Sequence, residues 1–295
     1  CWDIVGKEAG TPISDLLGGR VHERIRTYTY LYPAEGRPDV YTDPLQAAEQ
    51  AAFEVERGFT AVKFDPAGPY TAFDGHQPSA VDIERSVAIT AAIRGAVGSR
   101  ADLLFGTHGQ FTAAGAIRLA RQLEPFDPLW FEEPTQPDQP EEMARVARQT
   151  SIPVATGERL TTVSEFATLA RHQAAAIWQP NLGRCGGILT GRKIAAIAEA
   201  WGCQIAPHLY SGPILGAANI QLAATLPNLL IMEGIQDWSG FHADLLTRPV
   251  EWHDGYVTPS REPGLGTELD EEVALAHPYP ANGDLHLSMV DHPVR

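Results

Sequence analysis

Short apolar runs alternate with longer amphipathic segments along this chain, and most of the runs stop abruptly at a polar residue. The plainest is Pro128-Leu129-Trp130-Phe131, which ends in Glu132-Glu133-Pro134. A continuous apolar run of this length reads as a strand covered on both faces, as in a parallel sheet. The pattern returns at Ile152-Pro153-Val154-Ala155-Thr156-Gly157, which runs into Glu158. Taken in order, residues 2–17 read as helix closed by Gly18-Gly19, and 25–31 alternate as a first strand. Residues 44–57 read as helix stopped by Gly58, and 59–64 as a second strand with Lys63 and Asp65 at its end. A polar loop at 65–78 follows, long enough to carry function. Residues 80–97 read as helix, 103–105 as a third strand leading into Gly106-Thr107-His108-Gly109, and 113–123 as helix. The two Glu-tipped strands come next, with a helix between them.

Beyond Glu158 the rhythm continues. Residues 162–172 read as helix, 175–179 as a strand running into Pro180-Asn181, and 187–201 as helix stopped by Gly202. Residues 203–206 form a strand ending in Pro207-His208, 214–226 a helix, and 229–232 a strand ending in Glu233. Strand and helix thus alternate about eight times, the pattern of an α/β (β/α)-barrel of TIM type. A doubly wound open sheet is the structural alternative, weakened because no G-x-G-x-x-G follows the first strand. Past the barrel, Val250-Glu251-Trp252 and Tyr256-Val257-Thr258, joined by His253-Asp254-Gly255, read as a hairpin.

Composition narrows the functional classes. A 44% apolar content over 295 residues supports a large core, and no apolar run is long enough to span a bilayer. The formal charge of −15 argues against nucleic acid and against anionic membrane as partners. Cys1, Cys185 and Cys203 are scattered without metal-ligand spacing, and no secretory leader opens the chain, so a reducing, cytoplasmic setting is expected.

A TIM barrel brings the C-terminal ends of its strands to one mouth. There the strand ends collect Lys63, Asp65, His108, Glu132, Glu158, Asn181, His208 and Glu233. Two imidazoles suit proton transfer near neutral pH, and paired carboxylates suit a hard cation such as Mg²⁺. Singly, each has an ordinary structural explanation: a Glu at a strand end is usually solvated, a lone His hydrogen-bonded, and Lys63 an ion-pair partner of Asp65. The set is far more specific than its members. Arg159 and Arg184 add guanidinium groups able to engage a substrate carboxylate.

Further motifs give the set a family likeness. Trp2-Asp3-Ile4-x-Gly6-Lys7, Leu16-Leu17-Gly18-Gly19, Val62-Lys63-Phe64-Asp65-Pro66, Glu132-Glu133-Pro134, Gly157-Glu158-Arg159, Gly186-Gly187, Ala206-Pro207-His208 and Pro263-Gly264-Leu265-Gly266 span nearly the whole chain. In these the chain resembles the enolase superfamily, in its mandelate racemase and galactonate dehydratase-like branch. The resemblance implies a lyase that dehydrates a sugar acid to a 2-keto-3-deoxy acid through an enediolate held by Mg²⁺. It implies Glu132 and Glu158 as metal ligands, His208 as base or acid, and His108 as a second proton-transfer group. Glu233 would bond the substrate carboxylate or the enediolate oxygen. Lys63 joins the catalytic set, with Asp65, Asn181 and Arg159 as candidate substrate-binding residues. A small-molecule sugar acid is the implied partner, and a homo-oligomer the implied assembly.

The resemblance also implies a domain plan. Residues 1–19 would be the helix that follows an α+β capping domain, 20–246 the catalytic barrel, and 247–295 a hairpin and tail that pack on the cap. Without the cap, the apolar face of the hairpin is expected to be exposed or buried in a neighbouring chain. Two positions depart from the family pattern. An Asp metal ligand is expected where Gly106 stands, and an Asp paired with the seventh-strand His is expected where Asn181 stands. Asp102, the nearest acid on the third strand, lies about 13 Å deeper at about 3.3 Å per residue. These departures keep other readings open: a metal-impaired or vestigial binding barrel, or a racemase, epimerase or lactone isomerase using the same enolate.

Overall fold

The computed structural model describes residues 1–67 and 75–278. Eight strands are β1 (Ile25–Tyr30), β2 (Ala61–Phe64), β3 (Asp102–Gly106), β4 (Trp130–Glu132), β5 (Val154–Thr156), β6 (Ile177–Trp178), β7 (Gln204–Ile205) and β8 (Met232–Glu233). Each pairs in parallel with the next from β1 to β7, and β8 pairs in parallel with β1. Between β7 and β8 the ring is completed by the bridge Ile205–Leu229, with Leu230 N–H donating to the Ile205 carbonyl at 2.8 Å. Sequential order and closure rule out the doubly wound alternative, whose strand order reverses at a switch point.

The helices are α1 (Trp2–Ala9), α2 (Ile13–Leu16), α3 (Pro44–Glu56), α4 (Ala80–Val97), α5 (Ala113–Leu123), α6 (Pro140–Ala147), α7 (Val163–His172), α8 (Leu182–Cys185), α9 (Gly187–Ala200), α10 (Pro213–Ala223), α11 (Phe241–Asp244) and α12 (Glu271–Ala276). Several begin where a side chain satisfies the free N–H groups of the first turn. Ser79 with Asp82 and Thr162 with Glu165 form reciprocal capping boxes on α4 and α7. None of the described helices is long and apolar enough to cross a membrane.

Two expectations need correction. Residues 2–17 are not one helix: Gly10 adopts a left-handed φ of 63° and Pro12 precedes α2, so the segment breaks into α1 and α2. Nor does the hairpin present an open apolar face. Its strands, β9 (Glu251–His253) and β10 (Tyr256–Thr258), join the barrel sheet through antiparallel pairing of β10 with β1. Val257 is fully buried, and the Trp252 ring lies 4.8 Å from that of Phe59. The Trp252 indole N–H donates to Thr27 Oγ1 at 3.1 Å. The barrel itself covers the hairpin. Of the 65–78 loop, residues 68–74 lie outside the described residues, as do 279–295 of the tail.

The core has two layers. One lies between sheet and helices, with residues such as Val62, Phe105, Phe131, Leu119 and Phe166. The other fills the barrel with one side chain from each strand position: Tyr28, Ala61, Leu104, Trp130, Ala155, Ile177, Ala206 and Ile231. This inner plug sets the depth of everything above it.

Candidate active site

Side chains alternate across a strand, so the residue two places beyond each plug residue faces inward as well, one layer nearer the strand ends. Those residues are Tyr30, Lys63, Gly106, Glu132, Gly157, Gln179, His208 and Glu233. The barrel register agrees, since Gly106 sits level with Glu132, and Tyr30 with Lys63. A polar layer thus rests directly on an apolar one. Five of the eight were expected from strand ends alone, if Gly106 is counted as a position without a ligand. Gln179 was missed, because the polar end of its strand was taken at Asn181; the two-residue period points to it.

Lys63 is 1% exposed and stands at the centre of this layer. Its Nζ lies 2.5 Å from Glu132 Oε1 and 3.5 Å from Glu233 Oε1, under the rings of Tyr30 and Tyr28 at 5.7 and 5.9 Å. Burial alone would favour the neutral amine, but the charges of Glu132 and Glu233 outweigh it and hold Lys63 protonated. The other Glu132 oxygen accepts from Gln179 Nε2 at 2.6 Å. Glu233 Oε2 accepts from the Leu209 N–H at 2.6 Å.

His208 is fixed from both sides. Asn181 Oδ1 accepts from the Gly183 N–H at 2.8 Å, which turns the Asn181 amide nitrogen toward His208 Nδ1, also 2.8 Å away. An amide nitrogen only donates, so Nδ1 accepts and the ring proton sits on Nε2. That nitrogen faces Glu158 Oε2 at 3.2 Å and Glu233 Oε2 at 3.7 Å. Burial by itself would raise the Glu158 carboxyl, but the imidazoles of His208 and His108, with Lys63 and Arg159, bring it down to about 2. Glu158 stays ionised throughout the physiological range.

His108 has the opposite kind of partner. It follows β3 in a left-handed conformation, φ 51°, and its Nδ1 lies 3.7 Å from Asp65 Oδ2. Burial opposes a charged imidazole here, yet Asp65 and Glu158 reverse this and raise its proton affinity. Arg159 holds this turn: its Nε donates to Glu133 Oε2 and its Nη2 to the His108 carbonyl, both at 2.9 Å. A Cβ on Gly109, at φ 74°, would come within 2.5 Å of Arg159 Nη2, so the turn requires glycine there. Arg159 and Asn181, expected to bind substrate, spend these contacts positioning the two imidazoles. Arg184 donates to the Glu158 carbonyl at 3.3 Å. Asp102 is paired with Arg26 at 2.7 Å, remote from the mouth as its depth implies.

Enolase-superfamily sites pair a Lys or His base with Mg²⁺, and Mg²⁺ requires near-octahedral oxygen ligation. The donors do not meet that requirement. Gly106 brings no ligand, and both Glu132 oxygens are engaged by Lys63 and Gln179. Among the described residues, no group of three His, Cys, Asp or Glu side chains is arranged to hold a metal ion.

Residues 46–273 match the family model described as "Enolase C-terminal domain-like". A D-gluconate dehydratase of Thermoproteus tenax is 33% identical over 273 residues, covering 92% of this chain and 53% of that protein. A D-galactonate dehydratase of Variovorax paradoxus is 37% identical over 279 residues, covering 92% of this chain and 69% of the relative. The chain therefore spans only about half to two thirds of these curated relatives. Among solved structures, a mandelate racemase/muconate lactonizing enzyme from Jannaschia sp. CCS1 superposes with a TM-score of 0.92 at 53% identity, covering 96% of this chain and 73% of the other.

Proposed function

This chain belongs to the enolase C-terminal domain-like family, and from that premise we propose that it is a lyase dehydrating a sugar acid, an aldonate or aldarate, to a 2-keto-3-deoxy acid. The observation that carries the reading is the pair of oppositely partnered imidazoles in one barrel mouth. Asp65 lies 3.7 Å from Nδ1 of His108 and, with Glu158, raises the proton affinity of that ring, which suits it to accept a proton. The amide of Asn181 donates to Nδ1 of His208, which leaves Nε2–H as a donor. His108 is the base and His208 the acid.

Dehydration needs one of each. The base removes the proton on the carbon next to the substrate carboxylate, and the electron pair passes into the carboxylate as an enediolate. The acid then protonates the departing β-hydroxyl, water leaves, and the enol becomes a ketone. Lys63, Glu233 and Gln179 are buried in the same polar layer as His208. The resemblance leaves His208 as base or acid, and the Asn181 donor at Nδ1 favours the acid. Mg²⁺ use is the general habit of the superfamily, but no step above is routed through it. A cytoplasmic location belongs to the same proposal, supported by three cysteines in the free thiol state. So does a homo-oligomeric assembly, which rests on the family resemblance.

The test offers the purified protein a panel of aldonates and aldarates and follows 2-keto-3-deoxy acid formation. Turnover of at least one is expected, with losses of about 10²–10⁴-fold in His108→Asn and in His208→Asn. A folded protein inert toward the whole panel would contradict the reading.

A further inference from the structure

We propose that the Lys63 ammonium takes the place a divalent cation holds in this family of barrels, making the site independent of added metal. The inference rests on the dehydratase reading only for the chemistry it serves, since the placement of Lys63 stands by itself. Gly106 occupies the level of Glu132, where a carboxylate would complete a metal site. A Cβ built at Gly106 would come within 3.0 Å of Lys63 Cε and 3.6 Å of Tyr30 Oη. The room that a ligand side chain at 106 would use is already filled by the lysine stem.

Charge balance leads to the same place. The Lys63 ammonium is the cation set against Glu132 and Glu233, at 2.5 and 3.5 Å. Gln179, a neutral donor at 2.6 Å from Glu132 Oε2, occupies the second face of that carboxylate without adding charge. A buried carboxylate cluster needs a compensating cation, and here it is covalently attached. An ammonium has three N–H donors; Glu132 and Glu233 engage two, which leaves one for an incoming oxygen. In the reaction, the α C–H bond breaks, its proton moves to His108 Nε2, and its electron pair becomes carboxylate charge facing Lys63. The β C–O bond then breaks and the His208 Nε2 proton leaves in the water. No electron donor or acceptor is needed.

The probe is Mn²⁺, titrated into the chelator-treated wild-type protein and followed by the electron paramagnetic resonance of the free ion. No loss of the free-ion signal up to millimolar Mn²⁺ is expected. Micromolar uptake of one Mn²⁺ per chain, abolished in Glu132→Gln, would overturn the proposal. The double variant Lys63→Met with Gly106→Asp is expected to gain Mn²⁺ binding, because it vacates the ammonium position and restores a ligand. Turnover is read in parallel: equal rates with chelator and with Mg²⁺ support the proposal, and turnover lost with chelator and restored by Mg²⁺ overturns it. Absence of turnover under both conditions counts against the dehydratase reading alone, while the Mn²⁺ titration still decides the role of Lys63.

Discussion

Lys63 shows how much one residue decides in this barrel. It is a buried cation with carboxylates on two sides, and removing one partner of a buried pair leaves the other uncompensated. Lys63→Met is expected to lower stability by about 3–5 kcal/mol in denaturant unfolding, with an unchanged value contradicting the pairing. A second buried carboxyl lies far from the mouth. Glu54 on α3 is 2% exposed and bonded to Gln50 and Arg57, and burial raises its proton affinity although Arg57 opposes this. A carboxyl raised in the folded state contributes stability at low pH that is lost as pH rises through the folded value. Thermal scans should therefore show a fall in Tm from the ordinary carboxylate range upward that is smaller in Glu54→Gln. Equal slopes in both proteins would contradict it. At this scale the strand-end positions of Glu132, Glu158, His208 and Glu233 were legible in the sequence, and the barrel brings them together. For Arg159 and Asn181 the sequence left two roles open, because a polar side chain at a strand end looks alike whether it faces substrate or a neighbour. Only the hydrogen bonds to Glu133, the His108 carbonyl and His208 separate the two.

At the scale of elements, boundaries were legible where a chemical stop exists. Ser79 and Thr162 cap helices through reciprocal bonds with Asp82 and Glu165, and Asp43 and Thr112 accept from the first turns of α3 and α5. Thr162→Ala is expected to cost about 1 kcal/mol of stability by chemical denaturation, without changing turnover. No measurable change would mean that Glu165 alone satisfies the first turn. The break between α1 and α2 was available in Gly10 and Pro12 but lost among the apolar positions on either side. The four-residue α8 carries too few positions for any periodicity. The hairpin was found, but not its packing partner, since Phe59 and Trp252 meet only after the barrel has closed. Trp252→Ala should lower stability by about 3 kcal/mol, whereas a loss confined to self-association would return the hairpin to an intermolecular role.

At the scale of the molecule, eight strand–helix alternations were enough to expect a barrel, because a parallel strand must be reached through a crossover. Closure was not visible locally. It depends on β8 pairing with β1 and on the Ile205–Leu229 bridge, contacts between distant parts of the chain that no window of sequence contains. Closure also generates the site, since the apolar plug and the polar layer above it exist only when every strand is in register. In the proposed reaction the barrel mouth divides proton transfer between His108 as base and His208 as acid. Nuclear magnetic resonance of a turned-over sugar acid in D₂O tests it most directly, by following exchange of the α-proton in the two histidine variants. His208→Asn is expected to retain α-proton exchange while losing elimination, and His108→Asn to lose both. Exchange lost in His208→Asn but retained in His108→Asn would contradict it.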